Sequence, residues 1–285
     1  MHAVLALRLR LPVAAGLLAA AGALPTSVRG QPYAAVEVVS YTPGEGTSPS
    51  LLKPSAALGL PAEMTGANPW DGNFSPFNPH YTGDHIVQVG TGGHLTVRLE
   101  RFVLVQPGHL HLGVWENVFL TDAGGGRARN PAVVAGADSA VVEASDDGVN
   151  FVSLGTVHFT WFGNYWADSN GPYSKVSGNV RADFGKPFSA TLADFDGLSY
   201  TAILEKLDGT AGGTWIDLTP SGLAQVGWIR FSGVTTGTLE IDAVAINTSL
   251  AGPPTIPEPT TAGLMGMALA AAIFFRRKRS PAPAP

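Results

Sequence analysis

The sequence predicts an all-β fold, a single antiparallel β-sandwich or jelly roll, and three observations carry that prediction. Short apolar segments of strand length recur through the middle of the chain, each bounded by turn residues such as glycine and proline. Neither a repeat of about 20–50 residues nor a long helical periodicity runs between them. Glycine and proline, 35 and 22 of 285 residues, make up a fifth of the chain, yet 45% of positions are apolar. That combination describes a loop-rich protein with a core rather than a disordered tail.

In chain order the predicted strands are Val36 to Tyr41 before Pro43-Gly44, His85 to Val89 before Gly90, and His94 to Val105 before Gln106-Pro107-Gly108. Leu110 to Leu120, Ala140 to Ala144, Phe151 to Val157, Gln225 to Phe231 and Thr238 to Ile246 follow. Between Val141 and Phe151 two strand-like runs flank Asp147-Gly148, where Gly148 can take the positive φ of a tight hairpin. No amphipathic helix is expected between these strands.

The net charge of −5 averages over unlike segments, because seven of the 17 Lys and Arg lie at the two ends. From Gln31 to Pro257 there are 10 basic and 21 acidic residues, a net of −11. So acidic a body repels phosphate backbones, which excludes nucleic acid as a partner and favours cations or neutral ligands. Cysteine is absent, and with it any thiol nucleophile, Cys-ligated zinc or disulfide framework. The residues between the ends suffice for one β domain of the usual size, about 200–250 residues.

Both ends read as addresses. Residues 1–30 have the layout of a secretory signal helix: Arg8 and Arg10 open it, and Leu11 to Leu24 is a 14-residue apolar stretch, too short to span a bilayer. Ala21-Gly22-Ala23 offers one cleavage site and a cut nearer Gln31 another. The β-sandwich is assigned to 31–250 and a linker to 251–261, ending in Pro257-Glu258-Pro259-Thr260-Thr261. Residues 262–285 form a short hydrophobic anchor helix, Ala262 to Phe275, and a basic tail with Arg276, Arg277, Lys278 and Arg279. The four cations stay on the cytoplasmic side by the positive-inside rule, leaving everything before Pro257 outside.

Pro-Glu-Pro, a short apolar helix and an arginine cluster in that order resemble the PEP-CTERM sorting signal of Gram-negative bacteria. The resemblance implies export by Sec-type machinery with signal peptidase, transient residence in the inner membrane, and processing near Pro257–Pro259 by an exosortase, a membrane protease-like transpeptidase. The mature protein is then expected at the cell surface or in the extracellular matrix. The Ser145-Asp146-Asp147-Gly148 hairpin, and Trp228-Ile229-Arg230-Phe231 with Leu239 to Ile246, resemble the hairpins and closing strands of discoidin-like and galactose-binding-like jelly rolls. Further stretches resemble a set of PEP-CTERM surface proteins without established catalytic residues: Ser75 to Pro79, Gly92 to Val97, Val114-Trp115-Glu116-Asn117-Val118 and Ala211 to Leu218.

Candidate sites follow from residue chemistry. Trp161, Tyr165 and Trp166, interleaved with Asn164 and Asp168, have the composition of a glycan platform, aromatic faces for C–H surfaces and planar polar groups for hydroxyls; the same rings serve equally to anchor a long loop. Ca²⁺ takes six to eight oxygens. An EF-hand with Gly197 at its sixth position would put Leu192 first and Ile203 twelfth, neither a ligand, so that motif is rejected. Glu116, Asn117, Asp217 and Asp242 remain candidates for a calcium site built from distant loops, or else serve as turn caps. His109 and His111 are expected as solvated edge histidines. No Gly-x-Ser-x-Gly, His-Glu-x-x-His or Walker loop is present. The expected function is therefore non-enzymatic: a structural or adhesive role in an exopolysaccharide layer, with a glycan-binding module stabilised by Ca²⁺ and a polysaccharide-active enzyme as alternatives.

Overall fold

Period-2 alternation builds the body. In β3 (His94–Leu104), Leu95, Val97 and Leu99 are fully buried, and in β10 (Gln225–Ser232) so are Ile229 and Phe231. These are the inward positions of a sheet with one face on a core. The structure, a computed structural model, describes residues 32–66 and 71–256. The signal segment, Pro257–Pro259, the apolar stretch and Arg276–Arg279 lie outside the described residues.

One antiparallel sheet runs β1 (Ala35–Thr42), β3, β10, β7 (Asp138–Ser145), β8 (Val152–Phe159). The other runs β2 (Val87–Val89), β11 (Leu239–Ile246), β4 (Leu112–Glu116), β9 (Thr214–Ile216). Their facing residues, Val97, Val142 and Phe231 on one side and Leu112, Val114, Ile241 and Val244 on the other, share one apolar core. The protein is mostly β, two antiparallel sheets packed as a sandwich. Most chain connections cross from one sheet to the other, with β7–β8 a local hairpin. Gly148 has φ of 76° there, and the Asp147 carboxylate accepts the N–H groups of Val149 and Asn150 at 2.7 and 2.8 Å.

β11 is buried along almost its whole length because both of its faces are covered. A bulge between Ile241 and Ala243 shifts its phase, so Val244 and Ile246 return to the sandwich core while Ala243 and Ala245 face a second cluster. That cluster holds Phe74, Trp115, Phe162, Phe184, Phe195 and Ile203. It joins two of the stretches singled out in the sequence. Gly113 pairs with Trp215 across β4 and β9, and the Trp115 indole donates to the Ala211 carbonyl at 2.9 Å. Gly213 has φ of 80°, and a Cβ there would stand 2.7 Å from the Trp115 ring, so the indole fills the space a side chain would take.

Three differences from the sequence reading have physical causes. Leu110 to Leu120 breaks at Asn117 into β4 and the short β5 (Phe119–Leu120), which pairs with β6 (Val134–Ala135). A helix, α1 (Tyr200–Leu207), occurs where none was expected; two turns are too short to establish a period, though Ser199 caps it and Tyr200, Ile203 and Leu207 face inward. Residues 251–254, read as linker, form β12 (Ala251–Pro254) beside the second half of β3.

Candidate functional site

The edge strands β8 and β9, one from each sheet, frame a groove of about 400 Å³. β8 supplies Leu154, Val157 and His158; β9 supplies Thr214, Trp215 and Ile216, with Asp217 just beyond; Phe188, Ser189 and Ala190 complete the wall. The Thr214 hydroxyl accepts the N–H groups of Thr160 and Trp161 at 3.2 and 3.3 Å, tying the chain that leaves β8 to β9. Trp161 is thereby set into the groove. Its ring makes T-shaped contacts with Phe162, Phe188 and Phe195 at centroid separations of 5.8, 5.3 and 5.9 Å, so the half-buried indole is held by its neighbours in one orientation.

The polar groups of the groove are the hydroxyls of Thr160, Ser189 and Thr214, the His158 imidazole and the Asp217 carboxylate. Partial burial alone would raise the Asp217 pKa, but hydrogen bonds from Thr219 and the nearby His111 outweigh it and hold the carboxyl below its ordinary range. Asp217 is therefore ionised at neutral pH. Rings beside hydroxyls, an imidazole and one carboxylate make an amphipathic surface that can meet both the C–H face and the hydroxyl rim of a saccharide.

Of the five residues predicted as a platform, Trp161 alone lines this groove. Tyr165 packs on Phe184 and Trp166, and the Trp166 indole donates to Glu63 at 3.2 Å. Asn164 is buried and donates to the Trp166 carbonyl. Asp168 braces its loop by accepting the N–H groups of Asn179 and Val180 at 3.0 and 2.9 Å.

The four calcium candidates stand apart. Glu116 lies opposite Ile241 and points with it into the sandwich, whereas Asn117 bonds Glu240 at 3.0 Å on the other face of that sheet. Glu116 ends β4 and Asn117 lies at the break that follows it, where the chain leaves the strand. Asp242 is buried against His80, Oδ2 to Nδ1 at 2.7 Å, and Asp217 lies at the groove. Among the described residues no three His, Asp or Glu side chains form a group that could hold a metal ion. Both Glu116 carboxyl oxygens are buried without a hydrogen-bond partner; burial first, then the charges of Asp138 and Glu240, push its pKa well above the ordinary carboxylate range.

Sequence reasoning missed His80, whose ring stacks on Phe74 at 4.6 Å and whose partner Asp242 lies 162 residues away. The solvated-histidine expectation fails for His111. Its buried ring sits between the backbone N–H groups of Gln106 and Leu218, at 2.9 and 3.0 Å, and closes one end of β4. His109 is exposed as expected.

Fold and groove define a class, a two-sheet antiparallel sandwich with an amphipathic groove along one open edge. Its destination is set by a different part of the chain. Residues 255–279 match the family described as the PEP-CTERM protein-sorting motif. The motif implies an exported protein sorted by an exosortase and associated with the cell surface of a Gram-negative bacterium. No curated protein matches the chain.

Proposed function

We infer that the mature protein is a non-enzymatic surface or matrix protein with a structural or adhesive role in an exopolysaccharide layer, its edge groove holding a neutral sugar chain. The observation that carries this reading is Trp161, oriented by three rings within a groove rimmed by hydroxyls. The net charge of −11 between Gln31 and Pro257 disfavours anionic polymers. Glycoside hydrolysis uses two carboxyl groups flanking the scissile bond; among the described residues Asp217 is the one carboxylate lining this groove, which supports holding rather than cutting.

The crossing of the chain between the two sheets reads as jelly-roll-like. Within the larger sheet β8 lies four strands from β1, about 19 Å at the usual strand spacing. A body tethered through the segment after β12, on the β3 side, therefore carries its groove on the far edge.

The test is retention of the purified protein on an immobilised galactomannan, with alginate as the anionic control. Saturable retention on galactomannan, weakened about tenfold by Trp161→Ala and little changed by Trp166→Ala, is expected. Equal retention of wild type and Trp161→Ala removes the groove from the binding and overturns the reading.

A further inference from the structure

Two arginines of β3 join the segment that enters the body to the segment that leaves it. Arg98 donates from Nε to Glu37 of β1 at 2.6 Å and from Nη1 to the Thr255 hydroxyl at 2.7 Å. Arg101 lies over the Tyr33 ring, 4.5 Å from its centroid, and donates to the Gly252 carbonyl at 3.2 Å. Between them Glu100 serves both segments with its backbone. Its N–H donates to Ala34 at 2.9 Å and its carbonyl accepts the Thr255 N–H at 3.1 Å. The Thr255 hydroxyl donates in turn to the Leu99 carbonyl at 2.7 Å.

Thr255 is the first residue of the sorting match, so the motif begins inside the fold. Pro257 comes two residues later, at most about 7 Å from a fixed point on the sheet. At this exit lies a cleft of about 200 Å³ lined by Val36, Arg98, Glu100, Arg101, Pro254 and Ile256. Two of its apolar residues are open to solvent, Val36 at 43% and Ile256 at 58%.

An enzyme that grips four residues upstream of Pro-Glu-Pro covers about 13 Å of extended chain, and Pro254 and Thr255 are already fixed to β3. The surface such an enzyme covers must include the exit cleft. We propose that this cleft, rimmed by Val36 and Ile256, is the docking surface for the sorting enzyme. The motif is then read together with the folded β1–β3 face rather than as a free tail. This rests on the sorting reading of residues 255–279 and commits the partner to a protein with an apolar complement to those two side chains.

The experiment uses the full chain in an exosortase-bearing Gram-negative host and follows, by pulse-chase and intact mass, loss of the segment carrying Arg276–Arg279. Val36 contributes no side-chain hydrogen bond to the arginine clamp, so Val36→Glu changes the cleft surface, and the spacer arm below separates that change from any rearrangement of Arg98 and Arg101. It should slow processing about fivefold, the effect of losing one good interface contact. In a chain with a 12-residue Gly-Ser spacer between Ile256 and Pro257, Val36→Glu should add nothing further, because the enzyme no longer reaches the body. Processing of Val36→Glu at the wild-type rate overturns the proposal, as does an equal slowing with the spacer present, which would place the effect in folding. A wild-type chain that keeps its basic tail in that host overturns the sorting reading itself.

Discussion

Replacing Glu116 by Gln removes a carboxyl whose ionised form the sandwich interior cannot satisfy. The folded-state pKa of Glu116 is raised, so the native protein holds a proton that the unfolded chain releases in the ordinary carboxylate range. Stability contributed by that proton is complete below the unfolded pKa and is lost as pH rises through the folded one. The slope in that window is about 1.4 kcal/mol per pH unit for one proton. Asp138, raised to about 6 chiefly by burial and secondarily by Glu240, acts in the same direction over the lower part of the window. Urea denaturation followed by tryptophan fluorescence from pH 4 to 9 should show wild-type stability falling with pH. Glu116→Gln should lose most of that slope, and Glu116→Gln/Asp138→Asn should lose more below pH 6, where His85 and His111, held below their ordinary range chiefly by burial, leave a slope of the opposite sign. Slopes are the quantity to compare, since the buried amide has its own unpaired donors, at about 1–3 kcal/mol. Parallel profiles for wild type and Glu116→Gln would refute the reasoning, for the carboxyl would then have to be solvated or paired.

Three further outcomes follow from the packing. Trp115→Ala empties the centre of the second cluster and strips the Ala211 carbonyl of its donor; a loss of about 3–5 kcal/mol in urea denaturation is expected, and a loss below 1 kcal/mol would show that this layer adds little. Gly213→Ala meets both a positive φ and the Trp115 ring, so a cost of at least about 1–3 kcal/mol is expected; unchanged melting would mean that the loop refits freely. Because Glu116, Asn117, Asp217 and Asp242 do not converge, millimolar Ca²⁺ and a chelator should give the same Tm, and a rise with Ca²⁺ would contradict the dispersal.

What the sequence made legible is what alternation alone determines. β3, β7 and β10 carry period-2 burial over much of their length, and their predicted bounds, like those of β8 and β11, lie within two residues of those observed. β9 is three residues long and β12 contains Gly252, Pro253 and Pro254, so neither offers a pattern; partner strands define them. The groove was legible in one residue of five, because Trp161 meets it through a bond to Thr214, 53 residues on. The strand break at Asn117 also explains why the calcium candidates do not group. Adjacent positions 116 and 117 look like a ligand pair in sequence, but Glu116 lies opposite Ile241 at the end of β4 while Asn117, past that end, turns to Glu240.

The most direct test is the intact mass and location of the protein from cells carrying the sorting system. A chain recovered outside the inner membrane, lacking both the segment that holds Arg8 and Arg10 and the one that holds Arg276–Arg279, is the predicted result. A full-length chain of 285 residues in the cytosolic fraction, with both segments still attached, would contradict the account at its root.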